Sequence, residues 1–181
     1  YAQLLERLND PLRIALLPRI SRSSDKDSIE LTCKGLRVSF IISFVSSLLL
    51  VLIIKPFIIL VYGKEFEKIA NVIYIIIPGL FLKNLSMFFN TYFAGIGKEL
   101  INSYTQIFPG IFQLFLSWYL INKYGFEGAC ISLLIGFLFF SAIYFTYFIY
   151  VNNLNINFLI LNKKDFNYVA NFLLAQIKSI F

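Results

Sequence analysis

Lys83 stands near the middle of an apolar run, roughly 18–20 Å of helix from either end at 1.5 Å per residue. An ammonium that deep does not reach a headgroup layer easily, and setting it against lipid costs about 2.5–3.5 kcal/mol on the mildest scale. Its chemistry is to meet an acidic partner or an aqueous cavity, and the four apolar runs offer no obvious Asp or Glu, which favours the cavity. Met87, Asn90 and Ala94 share its helical face. Asn102, Gln106, Pro109, Gln113 and Ser117 form a second polar series at steps of four, three, four and four, on one face of one helix. Such a stripe either stitches helices together by hydrogen bonds or lines a water-filled path. Arg7 and Arg13 make a third group within a leucine-rich segment. Cations and amides of this kind bind anions and hydroxyl groups. Covalent chemistry needs more: there is no His, Cys33 and Cys130 lie in unrelated contexts, and no acid/base pair, nucleophile arrangement or metal-ligand set is present. An enzyme is the least expected class, and no cofactor or metal is expected.

The elements that must position these groups follow from composition. The 181 residues are 59% hydrophobic and only 14% charged, with a mean hydropathy of +0.76. A soluble domain needs far more charge to cover its surface, whereas lipid-facing helices need almost none. The length allows about four or five spans of roughly 20 residues and little else. The chain starts at Tyr1 without a methionine or a signal-peptide pattern, so a piece of a longer protein is expected.

Residues 1–20 carry Leu4, Leu5, Leu8, Leu12, Leu16 and Ile20 at helical spacing beside Glu6, Arg7, Asp10 and Arg13, with Pro11 expected to bend the helix. This stretch reads either as the frayed end of a truncated span or as a helix turning Arg7 and Arg13 to a water-filled interior. Residues 21–37 are the polar segment, read as a basic loop, with Ser24 or Asp25 capping a short helix inside it. Without aromatic interleaving, this basic cluster speaks for membrane topology and against nucleic acid.

Four spans are expected over residues 38–62, 69–93, 100–121 and 129–150. In the first, Ser39, Ser43, Ser46 and Ser47 form a small-residue stripe for close helix approach, and Lys55-Pro56 marks a kink. Lys55 either snorkels to the surface or points into a cavity. The charged residues Lys64, Glu65, Glu67 and Lys68 are too few for anything but a hairpin between the first two spans. Pro78-Gly79 is expected to break the second span, and Gly95 to Glu99 to form a tight turn. The GxGK in that turn lacks the spacing, the Ser/Thr and the preceding strand of a phosphate loop, so nucleotide binding is rejected. Trp118 and Tyr119 read as an interfacial anchor, and residues 122–128 as an outer turn. Residues 151–181 read as a polar tail holding an amphipathic surface helix from Asp165. Lys and Arg then gather on one side of the membrane, which predicts both ends of the chain in the cytoplasm.

ALLPRIS at 15–21, KPFIILVYGKEF at 55–66, IIIPG at 75–79, AGIGK at 94–98 and INKYGFEGACIS at 121–132 occur in this order. Together they resemble the C-terminal half of polysaccharide biosynthesis membrane proteins. These are the oligosaccharide-lipid flippases of the multidrug/oligosaccharidyl-lipid/polysaccharide exporter superfamily. The likeness covers about residues 1–150. It implies an all-α polytopic membrane helix bundle, the C-terminal lobe of a two-lobed MATE-like transporter, whose partner is the N-terminal lobe of the same protein. It further implies a bacterial inner-membrane location, contact with membrane lipids, and translocation of undecaprenyl-pyrophosphate-linked oligosaccharide by alternating access. The first segment is shorter and more charged than is usual in that family.

On that resemblance, Arg7, Arg13 and Lys83 would attract the pyrophosphate, and Asn90, Gln106 and Gln113 would hydrogen-bond sugar hydroxyls. Two other classes are weighed against it. A cation-coupled multidrug exporter of the same superfamily would be expected to carry acidic cavity residues. A non-transport membrane scaffold would need no cavity at all.

Overall fold

In a computed structural model, residues 2–154 are described, the side chains of 2–6, 8 and 68 excepted. The expected tail helix from Asp165, with Lys163, Lys164 and Lys178, lies outside the described residues. Among those residues the chain is helical throughout: α1 (Ala2–Ile20), α2 (Asp25–Tyr62), α3 (Glu67–Gly95) and α4 (Glu99–Asn152), with a 3-10 turn at Lys64–Phe66. Three of these, α2, α3 and α4, are long and apolar enough to cross a membrane.

The fourth helix is two arms rather than one rod. Gly125, at φ 58° and ψ −133°, interrupts it, a backbone conformation that side chains disfavour. Contacts pair Ser117 with Ser132, Phe112 with Phe139 and Asn102 with Tyr144, progressively farther from Gly125 on each side. The arms 99–124 and 126–152 therefore run antiparallel, each about 40 Å long. They carry the third and fourth expected spans, and the reversal occupies one residue where a seven-residue turn is expected. Trp118 and Tyr119 are exposed close to it.

The segment 21–37 is mostly helix, not loop. Ser24 caps α2 by accepting from the Asp27 amide, and Asp25 and Asp27 occupy the first turn, where the helix dipole favours acidic groups. The basic residues thus ride on a helix that continues into the first apolar run. α2 continues through Pro56 and α3 through Pro78. A proline removes one donor and crowds one carbonyl, and a packed helix absorbs that.

The α2–α3 hairpin closes at Gly63, at φ 94°. Lys55 reaches across it to Glu67 at 2.7 Å, where both side chains are about half exposed. That hydrogen bond and charge hold the Glu67 carboxyl below the usual range. The pair's contribution is present above the ordinary carboxylate pKa and is lost as the pH falls through the lowered value.

α3 is the hub, packed against α1, α2 and α4. The main core joins Leu16 and Ile20 of α1, Leu36 of α2, Phe88, Phe89 and Phe93 of α3, and Tyr144 and Phe148 of α4. Phe148 meets Phe89 at 4.6 Å and Tyr92 edge-on at 5.0 Å between ring centroids. The two glycines of the α3–α4 turn do different work. Gly97 takes φ 73° for the reversal, while Gly95 admits Ile20 so closely that an added Cβ would lie 2.5 Å from its Cγ2. That contact brings the end of α1 to the α3–α4 turn, so Arg19, Arg22, Lys26 and Lys98 share one end of the bundle, here called the basic end.

Candidate functional site

Of the six residues singled out as ligand contacts, the structure brings two together. Arg13 of α1 and Asn90 of α3 line a pocket of about 210 Å³ with Asp10, Ile14, Leu17, Thr91 and Ala94. Helical spacing places Arg13 and Asp10 one turn apart on one face of α1, and an Arg13 Nη2 bonds an Asp10 carboxylate oxygen. The Arg13 side chain is 17% exposed, and its Nε is buried with no hydrogen-bond partner among the described residues. A guanidinium carries five donors in a planar fork suited to phosphate or carboxylate. Here one acceptor is internal, so the cation is partly neutralised rather than bare.

Asn90 links the pocket to the hairpin behind it. Its Nδ2 donates to the Tyr144 hydroxyl at 3.0 Å, that hydroxyl donates to Asn102 Oδ1 at 3.3 Å, and Asn102 Nδ2 donates to the Asn90 carbonyl at 3.0 Å. This ring ties α3 to both arms of α4. Tyr144 is fully buried, so Tyr144→Phe takes the partner from one donor, Asn90 Nδ2, and one acceptor, Asn102 Oδ1, without changing shape. We expect a loss of about 1–2 kcal/mol, measured as a lower midpoint of detergent-induced unfolding.

The other four residues lie elsewhere. Arg7 and Gln106 are exposed. Lys83 is half-buried, its Nζ 5.0 Å from the centre of the Phe137 ring on the second arm of α4, a cation–π arrangement. Gln113 donates to Ser117 at 3.1 Å and to Ser132 at 3.4 Å, and its amide oxygen lies against Gly136, the one residue type that leaves room for it. The polar series therefore divides: Asn102, Gln113 and Ser117 hold the hairpin together, while Gln106 faces outward.

A second buried polar cluster joins Asn9 to two serines of the expected stripe. Asn9 Nδ2 donates to Ser43 at 2.9 Å, and Ser39 donates to Asn9 Oδ1 at 3.0 Å. The serine stripe brings α1 and α2 close, and Asn9 is what it receives. The signal was an amide on the same stripe as Leu12, Leu16 and Ile20.

No protein-family model, curated protein or solved structure matches the chain. What defines the protein at this point is its class: among the described residues, an all-helical bundle with three helices long and apolar enough to cross a membrane and a small open pocket between α1 and α3.

Proposed function

We propose that the chain is one lobe of a MATE-like transporter that moves an undecaprenyl-pyrophosphate-linked oligosaccharide across the bacterial inner membrane by alternating access, with the basic end in the cytoplasm. The supporting observation is the Arg13 pocket, a guanidinium held between two helices of a membrane bundle beside Asn90 and Thr91. A flipped glycolipid leaves its tail in lipid, while its pyrophosphate and sugars need donors shielded from hydrocarbon. A phosphate has to compete with Asp10 for Arg13, which couples binding to a change in the local ion pair. No bond in the substrate is made or broken. The N-terminal lobe supplies the facing wall.

Asp10 itself favours a second reading, the cation-coupled exporter, because a carboxylate in the pocket can take a cation or a proton. Translocation of a fluorescent lipid-linked oligosaccharide in vesicles, run beside dye efflux, separates them. Glycolipid movement without efflux supports the first reading, and efflux alone supports the second. Neither activity in a complete two-lobed protein would leave the scaffold.

A further inference from the structure

A second cavity, about 600 Å³, lies against a different face of α3 from the Arg13 pocket. Its floor is Leu82 and Phe89 of α3, and its walls are Phe40 of α2 and Leu138 and Phe145 of the second α4 arm. The two serines in its lining turn their hydroxyls back to their own helices: Ser86 donates to the Leu82 carbonyl at 2.9 Å, and Ser141 to the Phe137 carbonyl at 2.7 Å. What remains is apolar, with one cation, Arg37. The cation is not placed at random. On α2 Arg37 precedes Phe40 by about one turn towards the basic end, and Phe89 and Phe145 likewise lie on that side of the deeper Leu82 and Leu138, so the cleft runs along the helices for about 10 Å with Arg37 on the basic-end side of Phe40.

An occupant must bring one anionic group to the level of Arg37 and an apolar chain that asks for no polar partner below it. A guanidinium's five donors let it hold a phosphate while keeping contacts within the protein. We propose that this cleft binds an anionic phospholipid of the leaflet on the basic side, its alkyl chain along α3 and its phosphate on Arg37. The assignment needs only the membrane setting and does not depend on what the Arg13 pocket carries.

The test uses the 181-residue protein in phosphatidylcholine vesicles. Trp118→Phe removes the single indole, and Phe145→Trp places one in the cleft. Brominated-chain phosphatidylglycerol should then quench the indole at about one-fifth the mole fraction that brominated-chain phosphatidylcholine requires. Arg37→Gln should abolish that preference, and Arg37→Lys should restore part of it. Circular dichroism checks that the variants keep their helices. If Arg37→Gln fails to fold, the two quenching curves of the Arg37-containing protein still decide. Coincident curves, or a preference unchanged by Arg37→Gln in a folded protein, would overturn the proposal. Relief of quenching by polyprenyl phosphate at one-tenth the phosphatidylglycerol level would also overturn it, by assigning the cleft to a different lipid.

Discussion

A single methyl group at Gly128 is expected to destabilise the protein by about 3 kcal/mol or more. Its Cβ would lie 2.0 Å from the carbonyl oxygen of Leu120 and 2.5 Å from the carbonyl carbon. These are backbone atoms of the opposite arm, fixed by their own helix a few residues from the Gly125 reversal, so relief requires the arms to part. The same change elsewhere on α4 supplies the scale. Gly136→Ala collides with the amide of Gln113, the end of a flexible side chain that can swing away at the loss of its bonds to Ser117 and Ser132. About 1–2 kcal/mol is expected there. Among the described residues Gly110 has nothing within 4 Å of an added Cβ, and Ala is the better helix former by about 1 kcal/mol, so Gly110→Ala should be neutral or stabilising. Detergent-induced unfolding in mixed micelles gives the series directly. Equal midpoints for Gly128→Ala and Gly110→Ala would mean that the arms do not meet as described.

The second large effect concerns Arg13. Arg13→Ala removes the pocket's cation and leaves the part-exposed Asp10 carboxylate without its partner, at a cost of only about 1 kcal/mol in stability. Glycolipid translocation should fall tenfold or more at unchanged protein level. Arg13→Lys keeps a point charge but loses the planar fork, so an intermediate rate is expected. Asp10→Asn separates the two readings of the pocket. If Arg13 holds phosphate, removing its competitor should tighten binding of a pyrophosphate-headed lipid and slow its release. If the carboxylate carries a coupled cation, Asp10→Asn should abolish efflux, and Arg13→Lys should be tolerated.

Bilayer thickness made much of the fold legible, because an apolar run long enough to cross has few alternatives to helix. The runs at 69–93, 100–121 and 129–150 fall within α3 and the two α4 arms. Charge was a poorer guide. The basic character of residues 21–37 concerns which side of a membrane they face, whereas their backbone follows the Ser24 cap and good helix formers into α2. Pro78 was similarly ambiguous, since a proline's cost depends on what its neighbours can absorb. The site was less legible than the fold. Periodicity put Asn102, Gln106, Gln113 and Ser117 on one face, but which neighbour that face meets is a tertiary fact. Ser132 of the second arm and Tyr144 claim three of them, and among the described residues none is left for Gln106. The Asp10–Arg13 pair was present in the spacing, and its role changed once Asn90 and Thr91 were seen beside it.

Thiol accessibility at Thr91 tests the central claim most directly, namely that α1 and α3 enclose a water-filled pocket for a phosphorylated head within the membrane. In a Cys33→Ser, Cys130→Ser background of the proposed complete transporter, Thr91→Cys should react with a charged, membrane-impermeant thiol reagent, and a lipid-linked pyrophosphate oligosaccharide should protect it. Leu114→Cys, on the exposed apolar side of α4, should stay unreactive throughout. A Thr91→Cys protein as inert as Leu114→Cys, or one whose labelling the glycolipid leaves unchanged, would contradict the account.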